Sequence, residues 1–424
     1  MPVPLVESAN SLHLEENYFM TILTKTAAGI FIAVSFLSFR HFTKIIKNPG
    51  ADLPQQLISQ ATKPIPEQLP EPISEHLKIQ AAILLDVSNS MDGLIDQAKA
   101  QLWNMVSVMG KAKCNEATPQ IEIALYEYGR TTNNEKRGFV KQISPFTNDL
   151  DQLSQYLFNL KTNGGDEFCG HAIYSSVNEL KWDTTSGNYK VIFIAGNEDF
   201  LQGDITFTRA CKAAKQKGVI VNTIYCGDKT AGIEEHWNLA GECGNGSYTN
   251  INKNAQLDNI ETPYDSILFS LNEKLNGTYI SYGYHGNEGL MSQAKTDKMN
   301  TVFNKSAALK RVGVKGKKEL YKNSTWDLVD AEEADKTILD KVDLKTLPDS
   351  MQNKSREELK KIVKIKTEER NTIQQLIAKN NAKRETYIVH EKSKKAGADN
   401  NATLETEIEK IIRQQAKRFH MEIK

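Results

Sequence analysis

The segment Asp86-Val87-Ser88-Asn89-Ser90 carries one carboxylate and two hydroxyls at alternate positions. In an extended turn this spacing aims three oxygens at one point. Hard oxygen donors of this kind suit Mg²⁺, Mn²⁺ or Ca²⁺ rather than a thiolate-seeking ion. The competing reading is a helix cap supplied by Ser90 or Asp92. The position of the motif, directly between an apolar strand and an amphipathic helix, favours the metal. Catalytic patterns are missing: the chain has no GxSxG, no HExxH and no Walker loop. Cys169 and His171 stand two residues apart at the start of one helix, a poor geometry for a nucleophile and its base. Cys169, Cys226, Cys243 and His236 would be the candidates for a zinc cluster, but no pair has ligand-like local spacing. The chain therefore reads as a binding protein and not as an enzyme.

The elements that must position the motif follow an alternating pattern. Ile79–Ser88 is a continuous apolar run ending in polar residues, as in a strand buried on both faces. Met91–Gly110 has apolar residues at helical spacing. Strands are predicted over Ile121–Tyr128, Phe139–Ile143, Tyr189–Ala195, Val219–Cys226 and Tyr248–Ile251. Helices are predicted over Asp149–Leu160, Gly170–Leu180, Thr208–Lys217, Ile233–Ala240 and Tyr264–Leu275. Apolar strands alternating with helices imply an α/β fold with a mainly parallel sheet covered on both faces. In such folds ligands sit at the carboxyl ends of the strands, and the Asp86 loop lies at one of them.

The Asp86-Val87-Ser88-Asn89-Ser90 loop in this setting resembles the metal-ion-dependent adhesion site (MIDAS) of von Willebrand factor type A (VWA) domains. The resemblance covers about residues 78–275, and the IAGNEDF loop (194–200) with a WDLVDA stretch near Trp326 is similar to bacterial members. It implies a Rossmann-like sheet, a divalent cation (Mg²⁺, or Mn²⁺ or Ca²⁺) with open coordination, and a partner protein that completes the coordination through a carboxylate. It also implies a binding module without catalysis. The family's second loop commonly donates a Thr just before a helix. Here that loop is Thr162–Gly170, and its Gly-Gly-Asp character points to Asp166 first and Glu167 next, with solvated loop carboxylates as the alternative. The family's third loop begins with Asp, where this chain has Ala195. Asn197 or Glu198 would then reach the ion, directly or through water, or would form only a turn and a helix cap. The implied metal set is Asp86, Ser88, Ser90, Asp166, Glu167 and Glu198.

The 424 residues carry 53 basic and 53 acidic side chains, so bulk attraction to nucleic acid is not indicated. Residues 288–424 hold 30 basic and 22 acidic side chains, and the remainder is correspondingly acidic. This divides the chain into a globular front and a charged helical back. Thr26–Phe39 is an uncharged apolar stretch flanked by Lys25 and Arg40, short for a spanning helix and suited to a signal core or a short anchor. Met20 is a candidate start, and residues 1–47 are expected to tether the protein to a membrane with its head in the periplasm or outside. Residues 48–77 hold six of the twelve prolines and read as a semi-rigid spacer. Beyond 275, apolar spacing over 355–391 and 404–423 predicts a long helix or imperfect coiled coil and a second amphipathic helix. A coiled-coil scaffold with a metal-free head is the alternative to a metal-dependent binding module. Among five cysteines, Cys226 and Cys243 are the candidate disulfide, with two free buried thiols as the alternative.

Overall fold

The computed structural model describes residues 77–114, 117–185, 187–255, 259–395 and 403–423. All of them belong to one unit, Pro70–Lys424. The expected anchor and proline spacer lie outside the described residues. No helix among the described residues is long and apolar enough to cross a membrane.

The strands are β1 (Lys78–Asp86), β2 (Ala112–Lys113), β3 (Gln120–Tyr128), β4 (Lys141–Thr147), β5 (Tyr189–Gly196), β6 (Ile220–Tyr225), β7 (Asn245–Asn250) and β8 (Glu422–Ile423). Between them run α1 (Asp92–Met109), α2 (Leu150–Asn159), α3 (Cys169–Glu179), α4 (Phe207–Gln216), α5 (Lys229–Glu234), α6 (Trp237–Cys243) and α7 (Asp265–Asn276). The C-terminal part adds α8 (Gly286–Phe303), α9 (Lys305–Lys315), α10 (Leu328–Ala334), α11 (Ile338–Lys341), α12 (Asp349–Gln352), α13 (Arg356–Lys395) and α14 (Leu404–Ala416).

Six strands form one sheet in the order β4-β3-β1-β5-β6-β7. Only β4 runs antiparallel, at the edge beside β3. From β1 the chain moves outward to β3 and then crosses to β5 on the other side, so the strand order reverses at β1. The carboxyl end of β1 is therefore the switch point where such sheets open a crevice.

Strand β1 is apolar throughout its interior because both of its faces are covered. Ala81, Ile83 and Leu85 enter one core with α1, while Ala82 and Leu84 enter the other with α3, α4 and α6. This is the two-residue alternation of a pleated strand. Helix α1 explains its own length: thirteen of its eighteen residues are buried, from Leu94 to Met109. It can be so apolar because helices from the far end of the chain cover its outer face.

Those helices are not a detached tail. Leu404, Ile408, Ile411 and Ile412 of α14 share a core with Ile83, Leu85 and Leu102. Gln415 seals this contact: its amide donates to Asn222 Oδ1 at 2.6 Å, and Tyr189 donates its hydroxyl to Gln415 Oε1 at 2.9 Å. The 40-residue α13 is the expected long helix. Its Leu359 and Val363 fill a small separate core with Ile280, Leu328 and Val342, and its Ile377 enters the main one.

Buried charges pin the same helices. Arg311 pairs with Asp151 and Asp297 and lies 4.6 Å over the Trp103 ring. Arg370 pairs with Asp327 at 2.7 Å and Asp330 at 2.6 Å and stacks 4.1 Å over Tyr279. Removing one partner from such a pair leaves an uncompensated buried charge.

Two predicted helices end early. Ile233–Ala240 is split because His236 takes a left-handed conformation at φ 65° between α5 and α6. The 404–423 helix stops at Ala416. A short 3₁₀ turn follows, His420 turns left-handed at φ 55°, and β8 pairs antiparallel with β2. The predicted Phe139–Ile143 strand is observed at Lys141–Thr147, because Phe139 belongs to a turn with positive φ.

Candidate metal site at the switch point

Asp86 is the last residue of β1 and is fully buried. In register beside it are Tyr128, the last residue of β3, and on the other side the Ala195–Gly196 end of β5. Two glycines make room for its carboxylate. A Cβ on Gly129, whose φ of +82° also disfavours a side chain, would lie 2.9 Å from Asp86 Oδ1 and 2.9 Å from Glu167 Cγ. A Cβ on Gly196 would meet the Tyr128 hydroxyl at 2.4 Å and Asp86 Cβ at 3.1 Å.

The loop leaving β1 folds back on the carboxylate. Ser88 N–H donates to Asp86 Oδ1 at 2.7 Å, an Asx-type turn that points the Ser88 hydroxyl in the same direction. Asn163 N–H donates to Val87 O at 2.8 Å, which holds the second loop against the first. Thr131 N–H donates to Gly164 O at 2.9 Å from the β3 side. This clamp delivers Glu167, which is buried, and its carboxyl faces that of Asp86.

Three buried oxygens in this cluster have no hydrogen-bond partner: Asp86 Oδ2, Ser88 Oγ and Glu167 Oε2. An unpartnered buried polar atom costs about 1–3 kcal/mol, so three at one point call for a ligand. Burial pushes the Asp86 carboxyl up, against the hydrogen bonds around it. Glu167 is pushed up to about 9, first by burial and then by the facing Asp86 carboxylate. Two carboxylates with a hydroxyl form a hard donor set, and a divalent cation would satisfy both the charge and the empty lone pairs. The residues present fit such an ion.

The remaining predicted residues separate into a rim and an outlier. Ser90 is exposed, and its hydroxyl donates to Asn197 Oδ1 at 3.1 Å. Asn197 in turn donates to Glu198 Oε1 at 3.1 Å, and Glu198 is exposed on the third loop. This chain Ser90–Asn197–Glu198 borders the buried oxygens. Trp237 Nε1–H donates to the Glu198 carbonyl at 2.8 Å, and His236 Nδ1 lies 3.0 Å from Asp199. The start of α6 thus anchors the third loop. Asp166, favoured in sequence over Glu167, is exposed; the loop turns the next residue inward instead. Thr162 uses its hydroxyl to bond Asp92 at the start of α1.

Sequence reasoning missed Tyr128 and the glycines Gly129 and Gly196. Tyr128 bridges the strand ends by donating to Ala195 O at 2.9 Å. Glycines at two strand ends beside an acidic strand end were the available signal. Cys169 is sealed against Tyr128 with its thiol pushed well up by burial, and His171 contacts Asp204 instead, so the two do not act as a nucleophile pair. Among the described residues no group of three or more His, Cys, Asp or Glu could hold a metal, so the zinc cluster considered from sequence is not assembled. Of the two readings of Cys226 and Cys243, the structure shows the free thiols. Cys226 belongs to the core on the α1 side of the sheet, whereas α6 packs on the opposite side.

No protein-family model matches the chain, and no curated protein matches it in sequence. Solved structures do match. An aerotolerance-related membrane protein from Bacteroides fragilis is 17% identical with a TM-score of 0.30, over 42% of this chain and 93% of that one. The SpRpn10 VWA domain is 17% identical with a TM-score of 0.32, over 43% of this chain and 92% of that one. Proximal thread matrix protein 1 from the mussel byssus, solved with a zinc-occupied MIDAS motif, is 11% identical with a TM-score of 0.31, over 42% of each chain.

Proposed function

We propose that residues 78–275 form a VWA-type module that binds a partner protein through a divalent cation held at the carboxyl end of β1. The observation that carries this reading is the convergence of three unpartnered buried oxygens, from Asp86, Ser88 and Glu167, at the switch point of the sheet. Asp86, Ser88 and Glu167 would hold the ion, with Mg²⁺, Mn²⁺ and Ca²⁺ as the candidates. Ser90, Asn197 and Glu198 would border it on the solvent side. The bound ion supplies a Lewis-acidic position open to an oxygen ligand from outside. The protein's own residues neutralise its charge, fix its place through the Asx turn and the 163–87 backbone bond, and exclude water from one side.

The remainder of the proposal follows from the sequence. Residues 1–47 would tether the module to a membrane, with its head in the periplasm or outside the cell. The C-terminal helices support the head by covering α1 and one face of the sheet, which favours them as part of the binding unit and not as a separate scaffold.

Isothermal titration with Mg²⁺, Mn²⁺ and Ca²⁺ tests the reading. The wild-type protein should bind one equivalent, and Asp86→Ala should lose that binding. Unchanged affinity in Asp86→Ala would refute the site. A double Ser88→Ala, Ser90→Ala variant should weaken binding less, because water can replace a hydroxyl ligand.

A further inference from the structure

Cysteine Cys243 closes α6, the short helix whose first turn anchors the third loop of the site. It does not approach Cys226, as the sequence suggested, but a different thiol. Cys211 lies in α4, fully buried, and α4 packs against α6. The Cys211 thiol donates to Ala240 O at 3.6 Å. Ala240 and Cys243 are three residues apart on α6 and so lie on one face of it. In that geometry the carbonyl oxygen of Ala240, which holds the Cys211 thiol, sits beside the side chain of Cys243, so the packing of α4 on α6 sets the two cysteines next to each other. Cys243 is half-buried and open to solvent on one side, whereas Cys211 is sealed.

We propose that Cys211 and Cys243 are an oxidation site that a peroxide converts into a disulfide, tying α4 to α6 behind the third loop. Cys243 reacts first because it alone of the pair is reached from solvent. Its sulfur attacks the peroxide; the O–O bond breaks, an S–O bond forms, and water leaves together with a sulfenic acid on Cys243. Burial holds the Cys211 thiol in its protonated form, so it attacks the Cys243 sulfur as its proton passes to the departing hydroxyl. The S–S bond forms, the S–O bond breaks, and a second water leaves. In sum two thiols are oxidised and one hydrogen peroxide is reduced to two waters. The cross-link fixes the helix whose Trp237 holds the Glu198 carbonyl and whose preceding His236 holds Asp199, so it stiffens residues 197–200. The proposal is independent of whether the site holds a cation.

The test treats the full-length protein with graded hydrogen peroxide, alkylates the remaining thiols and maps the peptides by mass spectrometry. The expected result is a loss of two hydrogens with a 211–243 cross-linked peptide, while Cys114, Cys169 and Cys226 remain alkylatable after unfolding. Cys243→Ser should abolish the cross-link and Cys226→Ser should retain it. Hydrogen exchange over 197–200 should slow in the oxidised protein and stay unchanged in peroxide-treated Cys243→Ser. A 226–243 cross-link, or Cys243 driven to sulfinic acid while Cys211 stays alkylatable, would overturn the assignment. Unchanged exchange at 197–200 in fully cross-linked protein would overturn its link to the site. The wild-type map and Cys243→Ser decide the matter even if Cys211→Ser fails to fold.

Discussion

Replacing Glu167 by Gln separates the cost of the site from its use. The substitution keeps the size of the side chain and removes the ionisable carboxyl that faces Asp86. In the cation-free protein Glu167 Oε2 is buried without a partner, and its carboxyl is pushed up to about 9 by burial and by Asp86. The folded state therefore keeps a proton on Glu167 that the unfolded chain releases above about 4.5. Because the folded pKa is raised, the associated stability is fully present below the unfolded value and is lost as pH rises through the folded one. In EDTA the wild-type protein should thus lose stability between about pH 4.5 and pH 9. At neutral pH the folded state holds a proton that the unfolded chain has released, and keeping the buried carboxyl in that state costs about 1–3 kcal/mol. Glu167→Gln should recover most of this and flatten the pH profile in that window. Urea unfolding in EDTA at pH 5, 7 and 8.5 reads both effects. With a cation at about one hundred times its dissociation constant, the wild-type protein should gain about 2.7 kcal/mol, and the variant should gain much less. A variant that is less stable than wild type in EDTA at pH 8.5, and that still binds the cation with wild-type affinity, would refute the account of paired carboxyls awaiting an ion.

Other substitutions test the frame around the site. Gly196→Ala brings a methyl group within 2.4 Å of the Tyr128 hydroxyl, so it should destabilise the fold by about 1–3 kcal/mol and weaken cation binding; an unperturbed melt would show that the β5 end can move aside. Arg370→Met strands Asp327 and Asp330 in the interior and should cost about 3–5 kcal/mol by urea unfolding; a loss below about 1 kcal/mol would mean that water reaches the pair. Deleting residues 403–424 uncovers Ile83, Leu85 and Ala98 beside α1, and the shortened protein should bind a hydrophobic dye and aggregate. A monomeric, dye-silent product would show that α14 is dispensable to the head.

The physics of single elements was legible in the sequence. Strands β1 and β5 announce themselves because a strand covered on both faces needs apolar residues at every position, and the polar turn after β1 marks where that cover ends. Asp86 and Ser88 could be placed for the same reason, since both belong to the strand end and its first turn. Alternating strands and helices sufficed for a mainly parallel sheet.

Three features depended on contacts between distant parts of the chain and could be decided only in three dimensions. Asp166 and Glu167 are adjacent carboxylates in one loop. Which of them turns inward is set by Asn163 bonding Val87 and by Gly165 fitting against the Gly129 carbonyl, so Glu167 and not Asp166 reaches Asp86. A helix that returns the chain beside a strand leaves Cys226 and Cys243 open either to pair or to stay free, but a strand residue and a helix residue can lie on opposite faces of one sheet, and here they do. The charged C-terminal region looked detached because its surface carries most of its residues. Its few apolar positions, Leu404, Ile408, Ile411 and Ile412, find their partner three hundred residues earlier on α1, and no local pattern encodes a contact of that range.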